Sequence, residues 1–401
     1  MSTAGAIGVI AFVVAMLLSI MIHEWGHYIT ARKFGMKVTE FFLGFGPRIW
    51  STQRGETEFG VKAIPAGGYC RIVGMTPSEP MAASDSDRAF FKSSVPRRLV
   101  VLGAGSFLHF ILAFLILLLF FSAVGLPQES TRIGELLPCI KQSSAPCSSS
   151  DPIAPALAAG FKVGDEIRSI DGAKITHWQE VGDAIRQSAN KKMVFTVLRD
   201  GSPVEISVTP QPFVISGKAK ETIGIIGVIS ERENKRYPIH SAIVASVREG
   251  MNLFGGSVRA LVALPSKVPS LFGATFGGQE RDPQGLVGVV GVARVSSQAA
   301  ASPNGSMTEK IGFFLLIIAS LNIFVGIFNL IPLLPLDGGH MAVAIYDGFR
   351  ARRARRNGLP APDPFDVTRL MPVTLFVIAL LASLSLLLLF ADIVNPLRLN
   401  Q

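Results

Sequence analysis

The sequence contains few charged side chains. Of its 401 residues, 17% are charged and 49% are hydrophobic, whereas an ordinary soluble domain carries about a quarter charged residues. This deficit argues against a water-soluble globular protein and indicates a membrane protein.

A basic surface for nucleic acid is also missing. The formal net charge is +9, but the positive residues are concentrated in two segments that flank apolar runs, without interleaved aromatic side chains. We therefore interpret the charge as a signal of membrane topology and exclude nucleic acid as a partner.

Four largely apolar runs are long enough to cross a bilayer, which takes about 20 residues. They cover residues 4–27, 98–125, 311–336 and 371–394. The first run has no basic residues before it and no small-residue cleavage site at its end. We therefore interpret it as a membrane span and not as a cleaved signal peptide.

The distribution of Lys and Arg predicts the orientation of these spans. Basic residues are concentrated between the first and second runs and between the third and fourth runs. The positive-inside rule places both loops in the cytoplasm, which leaves both termini and residues 126–310 on the extracytoplasmic side.

Cysteine is scarce, with three in the chain. Cys139 and Cys147 fall in the segment predicted to be extracytoplasmic, whereas Cys70 falls in a loop predicted to be cytoplasmic. A disulfide between Cys139 and Cys147 is permitted only on the outer side. The alternative is two unpaired thiols in the Ser-rich connector of residues 143–150.

Residues 153–213 have the pattern of a small globular domain. Ala159-Gly160-Phe161 is followed by Gly164-Asp165, by a short strand and by the turn Asp171-Gly172. A helical segment over 176–189 precedes two strands that are joined at Asp200-Gly201. This pattern resembles a bacterial PDZ domain; the alternative is a generic small β-rich domain.

Two further segments complete the predicted organisation. Residues 241–310 contain short apolar stretches broken by prolines and glycines, which predict surface-lying helices and loops. Glu56–Val73 alternates like a strand around Pro65, and we expect a membrane-associated hairpin at the cytoplasmic boundary that binds unwound substrate by β-addition. The alternative is an ordinary cytoplasmic hairpin.

The predicted fold class is therefore an α-helical polytopic membrane protein of about four transmembrane helices with an inserted α+β PDZ-like domain and a cytoplasmic membrane-associated β-hairpin. The expected boundaries are 1–125 and 311–401 for the two halves of the membrane core, 126–240 for the PDZ-like domain with its connectors, and 241–310 for the membrane-surface segment.

The first span carries an HExxH motif, His23-Glu24-Trp25-Gly26-His27. On a helix, positions i and i+4 share a face, so the two imidazoles can bind one zinc ion and Glu24 can take a proton from a zinc-bound water. The chain has six histidines, so a chance match at this spacing is rare. The alternative is two hydrogen-bonded histidines at a membrane interface.

A catalytic zinc takes three protein ligands and keeps one position open. Asp337, near the end of the third run, is the best candidate for the third ligand. Pro332, Pro335 and the glycine pair after Asp337 predict an unwound helix, and irregular backbone at membrane depth implies a polar cavity lined by protein. The alternative is an Asp that caps a helix before a glycine turn.

Together these motifs resemble the site-2 proteases, peptidase family M50. The shared features are HExxH in the first span, the pattern NxxPxxxLDGG from Asn329 to the third span's end, and a PDZ-like insert between spans. The resemblance covers nearly the whole chain and is strongest to actinobacterial enzymes with one PDZ domain, which process anti-sigma factors.

The resemblance implies a zinc metalloendopeptidase of the bacterial plasma membrane. It implies His23, His27 and Asp337 as ligands of Zn²⁺, Glu24 as the general base, and Asn329 as a residue that holds the substrate backbone. It also implies single-span membrane proteins in the lipid bilayer as substrates, with trimmed anti-sigma factors among them.

One stretch departs from the family. Members often carry Gly-Pro-x-x-Asn early in the second span, where this chain has Gly103-Ala104-Gly105-Ser106-Phe107-Leu108-His109. We expect His109 to stand in for the usual asparagine as a buried, hydrogen-bonded histidine; the alternative is a role beside the site.

Two other classes of protein share some of these features. A transporter or metal permease could line its pathway with intramembrane His, Glu and Asp, but four spans without an inverted repeat argue against it. An inactive scaffold that acts through its PDZ-like domain is disfavoured by the intact HExxH and LDGG motifs.

Overall fold

The computed structural model describes residues 2–141, 147–148, 151–215, 221–278, 281–282, 285–302, 306–360 and 362–396. Most of the Ser-rich connector therefore lies outside the described residues. The α-helices are α1 (Thr3–Lys33), α2 (Val95–Leu119), α3 (Pro155–Ala158), α4 (Trp178–Arg186), α5 (Ile239–Phe276), α6 (Val289–Ala301), α7 (Met307–Asn329), α8 (Asp337–Arg356) and α9 (Met371–Val394). The strands are β1 (Val38–Arg54), β2 (Thr57–Ile72), β3 (Leu126–Leu136), β4 (Glu166–Ile170), β5 (Ala173–Lys174), β6 (Met193–Arg199), β7 (Ser202–Val208), β8 (Gln211–Ile215), β9 (Glu221–Ile225) and β10 (Val228–Lys235).

Among the described residues, four helical segments are long and apolar enough to cross a membrane: Thr3–Lys33, Val95–Val124, Met307–Asn329 and Val367–Val394. They agree with the polytopic membrane class predicted from the sequence. The third of these segments, α7, ends at Asn329, seven residues before the end of the predicted run. It ends there because Pro332 and Pro335 lack the N–H that would continue its hydrogen bonds.

The chain forms two compact units. One unit contains residues 1–124 and 237–401, and the other contains residues 125–236. In the first, which we call the helical unit, α2 contacts α1, α5, α7 and α8. It is thereby the element around which the helical unit is packed.

Strands β1 and β2 form an antiparallel sheet in the helical unit, and both strands bend sharply. Phe41 pairs with Cys70 and with Phe59, and Phe59 pairs in turn with Thr52. Four segments therefore lie side by side, and the segment of β2 around Cys70 forms one edge. The sequence predicted a hairpin within 56–73 alone; β1 was missed because Gly44, Gly46 and Pro47 interrupt its strand pattern.

The segment after residue 240 differs from its predicted form. We expected short pieces broken at Pro265 and Pro269, but α5 is one helix of 38 residues that contains both prolines. A proline removes one backbone hydrogen bond and bends a helix without having to end it, and Gly277 is the residue at which α5 stops.

The second unit, which we call the inserted unit, contains the elements predicted for 153–213. The strands β10-β3-β4-β6-β7 lie in that order in one sheet, with β5 on β4, while β8 pairs with β9. The turn residues Asp200 and Gly201 both have positive φ, as the β6–β7 hairpin requires. A disulfide joins Cys139 to Cys147.

An ion pair with a buried carboxylate joins two parts of the inserted unit. Asp165, in the Gly-Asp turn before β4, accepts two 2.7 Å hydrogen bonds from the guanidinium of Arg199 at the end of β6. Burial alone would raise the pKa of Asp165. The hydrogen bonds from Arg199 and from the backbone N–H of Lys162 outweigh burial and hold that pKa below its usual range.

Candidate metal centre

Helix α1 carries His23 and His27 one turn apart, on the face that packs against α2. Gly26 makes this contact possible, because a Cβ at that position would lie 2.8 Å from the backbone of Ala104. Both imidazoles are buried. The two imidazoles thus point into the interior of the helical unit.

A backbone carbonyl fixes the orientation of His27. Its Nδ1 is 2.8 Å from the carbonyl oxygen of Val101 on α2, so Nδ1 carries the proton and donates it. The Nε2 atom of His27 is then the one with a free lone pair. This is the tautomer that a metal-binding histidine requires.

At Nδ1, packing and not a hydrogen bond orients His23. Its Nδ1 is buried and has no hydrogen-bond partner within the described chain. The ring lies against the backbone of Gly105, and its centroid is 4.9 Å from that of the His109 ring. A glycine at position 105 is therefore what leaves room for this imidazole.

The turn between α7 and α8 brings in Asp337. A Cβ on Gly339 would lie 2.5 Å from the backbone nitrogen of Leu334, so the start of α8 packs directly on the turn. Asp337 is the first residue of α8, and Leu336 occupies the capping position. The Asp337 side chain does not cap the helix but faces the two histidines.

Three potential ligand atoms converge at one point. The two Nε2 atoms are 3.1 Å apart, and Asp337 Oδ2 is 3.2 Å from that of His23 and 3.3 Å from that of His27. A tetrahedral zinc ion with bonds of about 2.0–2.1 Å separates its ligands by roughly 3.3 Å. Asp337 Oδ2 is buried without a well-aligned hydrogen bond, so these donors fit a zinc ion.

Glu24 follows His23 and is half-buried on the same helix. The backbone N–H of Cys70, on the edge segment of β2, is close enough to interact with its carboxylate. Burial raises the pKa of the Cys70 thiol, and the nearby charge of Glu24 adds to this effect. The thiol therefore stays protonated, and Cys70 contributes its backbone to this region.

A polar network that the sequence did not reveal lies beside the centre. His109 Nδ1 is 2.8 Å from Asn322 Oδ1, and the Asn322 amide donates to the Ser19 hydroxyl and to the carbonyl of Ile318. These side chains come from α2, α7 and α1 and are all buried. His109 is thus hydrogen-bonded, as expected.

His109 stands at the asparagine position of the family pattern Gly-Pro-x-x-Asn when the pattern is counted from Gly105, with Ser106 in place of the proline. The residue is buried, and its correspondence with the family asparagine stays a prediction. Its neighbour Asn322 had no local motif that could have identified it.

Asn329 is the last residue of α7 and is half-buried. It makes no side-chain hydrogen bond within the part of the chain that the structure describes. It lies at the start of the turn that leads to Asp337, and the geometry alone assigns it no partner.

An HExxH helix with a carboxylate supplied from a distant part of the chain defines the class of zinc metalloproteases, and here the helix that carries HExxH can cross a membrane. The chain belongs to peptidase family M50, whose family model matches residues 11–359. It is 36% identical over 408 residues to the zinc metalloprotease Rip1 of Mycobacterium tuberculosis, with 98% of this chain and 99% of the relative covered. It is 34% identical over 413 residues to Rip1 of Mycolicibacterium smegmatis, with the same coverage. The protein is thus an intramembrane zinc metalloprotease.

Proposed function

We propose that this protease hydrolyses peptide bonds in or beside the transmembrane segments of single-span membrane proteins. The observation that carries the proposal is the convergence of His23, His27 and Asp337 inside the unit that contains the long apolar helices. It supports these three residues as ligands of Zn²⁺ and the adjacent Glu24 as the general base.

Zinc, Glu24 and the Val101 carbonyl have separate roles in the proposed hydrolysis. Zinc, when bound, supplies a Lewis acid that polarises the scissile carbonyl and lowers the pKa of water. Glu24 takes the proton from the attacking water and delivers it to the leaving amide nitrogen, so that a C–O bond forms as the C–N bond breaks. The Val101 carbonyl keeps His27 in the tautomer that binds metal.

The edge segment of β2 is proposed to bind the substrate backbone. A helical substrate must unwind before water can reach its carbonyls, and an extended chain can add to a free strand edge. This edge passes beside α1, because Gly68 lies against Met21 and the Cys70 N–H lies near Glu24. A substrate strand paired there would have its backbone next to the general base, and Asn329 is proposed to hold it on the other side.

The inserted unit is proposed to be a PDZ-like domain on the extracytoplasmic side, with both termini outside and the β1–β2 sheet at the cytoplasmic boundary. The Cys139–Cys147 disulfide supports this side, since disulfides persist in oxidising compartments. The plasma membrane of a bacterium is the proposed location, and trimmed anti-sigma factors are the proposed substrates.

The inserted unit either captures freshly cut termini or excludes substrates with bulky outer domains. Phe121 and Tyr237 are joined by a 2.9 Å backbone hydrogen bond in the helical unit, so residues 125–236 can be replaced by a short Gly-Ser linker. Cleavage of intact substrates by this deletion variant would support exclusion. Loss of cleavage of trimmed substrates would support capture.

The proposed function is tested by co-expression of the protease with a tagged single-span protein that has already lost its outer domain. We expect a smaller cytoplasmic fragment with the wild type and none with Glu24→Gln. Equal fragment patterns with both proteins, stably inserted in the membrane, would overturn the proposal.

A further inference from the structure

Helix α8 carries apolar and basic side chains on one exposed stripe. Ile345, Phe349, Arg352 and Arg356 are spaced three or four residues apart and therefore share a face. Ile345 is 56% exposed and Phe349 is 65% exposed. An exposed apolar patch of this kind, directly followed by arginines, needs a partner that is apolar at one end and anionic at the other.

The opposite face of α8 is fixed to the start of α2. The carboxylate of Asp347 pairs with Arg98 at 3.0 Å, and both side chains are buried. Asp347 also accepts a 2.8 Å hydrogen bond from the backbone of Phe365, and Gly348 lies against Val95. The stripe therefore cannot turn inwards, because the buried face already has its partners.

The arginines at the end of α8 lack counter-charges. Arg352, Arg353, Arg355 and Arg356 are all exposed, and none pairs with an acidic side chain within the described ranges. Arg350, one turn earlier, differs because it interacts with Asp347 and with the carbonyl of Asp363. Four uncompensated guanidinium groups thus occupy the last turn and a half of the helix.

The position of this cluster identifies the partner. Val95 is the first residue of a helix that can cross the membrane, so the contact with Gly348 places the middle of α8 at the level of one bilayer surface. Ile345 and Phe349 then lie on the bilayer side of the arginines. Clusters of four or more basic residues beside a span bind anionic headgroups, and apolar side chains beside them enter the acyl boundary.

We propose that α8 is an interfacial helix whose four terminal arginines bind the headgroups of anionic phospholipids. The inference rests on the proposed placement in the bilayer and not on proteolysis. Because α8 begins at Asp337, the bound lipids hold the far end of the helix that supplies the third ligand.

The test measures lipid binding to the full-length protein in detergent by native mass spectrometry, with phosphatidylglycerol and phosphatidylcholine as probes. We expect phosphatidylglycerol to bind the wild type preferentially. Replacing Arg352, Arg353, Arg355 and Arg356 by Gln should weaken that binding about tenfold or more. The matched control removes four positive charges from the inserted unit by replacing the exposed Lys162, Lys174, Lys191 and Lys192 with Gln, and should bind like the wild type.

A spin label at Phe349→Cys in vesicles of phosphatidylcholine and phosphatidylglycerol supplies a second readout. Its accessibility to oxygen should exceed its accessibility to a polar relaxation agent, as for a side chain in the acyl boundary. Equal phosphatidylglycerol binding by the arginine variant and the lysine control would overturn the proposal. An arginine-dependent affinity for polyglutamate without one for phosphatidylglycerol would overturn it in favour of an acidic protein partner. Failure here leaves cleavage in the co-expression experiment unaffected.

Discussion

The backbone of Gly105 lies so close to the ring of His23 that a Cβ at position 105 would be 2.5–2.6 Å from three ring atoms. His23 has no hydrogen bond to hold Nδ1 within the described chain, so this contact sets the direction in which Nε2 points. The Val101 carbonyl thus orients His27, and the missing side chain at Gly105 leaves the space that orients His23.

Gly105→Ala should displace His23 and weaken zinc binding, with an expected loss of about 10–100-fold in affinity, as for other changes to groups that orient metal ligands. Zinc affinity is measured by competition with a chelator in detergent. Gly103→Ala is the matched control on the same helix, because a Cβ there would be 3.9 Å from Met341 and open otherwise. Equal zinc affinities for the two variants would contradict this role of Gly105.

Asp337→Asn should lower the zinc content of the purified protein from about one ion per chain to a small fraction, because the proposed charged ligand is lost while its volume is kept. Elemental analysis after dialysis gives the ratio. Asp363→Asn, an exposed carboxylate after α8, should keep its zinc. Full retention of zinc by Asp337→Asn would remove this residue from the ligand set.

Cys70→Pro and Cys70→Ser separate the backbone of the edge segment from its thiol. Both variants lack the Cys70 thiol, but only proline also removes the backbone N–H that lies near Glu24. We expect the Ser variant to cleave like the wild type and the Pro variant to cleave at least about tenfold more slowly, at unchanged zinc content. Indistinguishable cleavage rates would argue against substrate addition at this edge.

The Asp165–Arg199 pair should make the inserted unit sensitive to acid. A carboxyl whose pKa is depressed in the folded state contributes stability above its unfolded pKa of about 4, and loses it as the pH falls through the folded pKa. Hydrogen exchange of β4 and β6 in the full-length protein, corrected for intrinsic rates, should show protection falling below about pH 4.

Asp165→Asn should lower that protection at neutral pH by about 2–3 kcal/mol, because the buried carboxylate that accepts both hydrogen bonds from Arg199 loses its charge. Asp183→Asn, which removes a surface pair with Arg186, should change it by less than about 0.5 kcal/mol. A pH-independent protection in the wild type would show that the ion pair is not a determinant of stability.

The sequence predicted those parts of the fold that depend on short-range patterns of residues. Four apolar runs, the strands β4, β6 and β7 of the inserted unit and the break after Asn329 follow from hydropathy, alternation and proline chemistry. β1 was not predicted because Gly44 and Gly46, where the strand bends, are typical of loops. α5 was not predicted as one helix because its two prolines are typical of helix ends.

In the candidate site, too, some residues could be predicted from the sequence and others could not. HExxH and LDGG could be found because each is a short motif of consecutive residues in the sequence. Val101, Gly105 and Asn322 could not, since each acts through a contact made only when helices distant in sequence pack together. A carbonyl, a glycine and a buried amide carry no signal of their own in a single sequence.

The most direct test of intramembrane hydrolysis with Glu24 as the base is cleavage of a purified single-span reporter by the purified protease in ¹⁸O-labelled water. Mass spectrometry of the fragments locates the cut and counts the labelled oxygens. We predict a cut in or beside the transmembrane segment, with one ¹⁸O in the new carboxyl terminus, and a rate about 10²–10⁴-fold lower for Glu24→Gln at equal zinc content. Equal rates for wild type and Glu24→Gln, or a cut confined to the soluble part of the reporter, would contradict it.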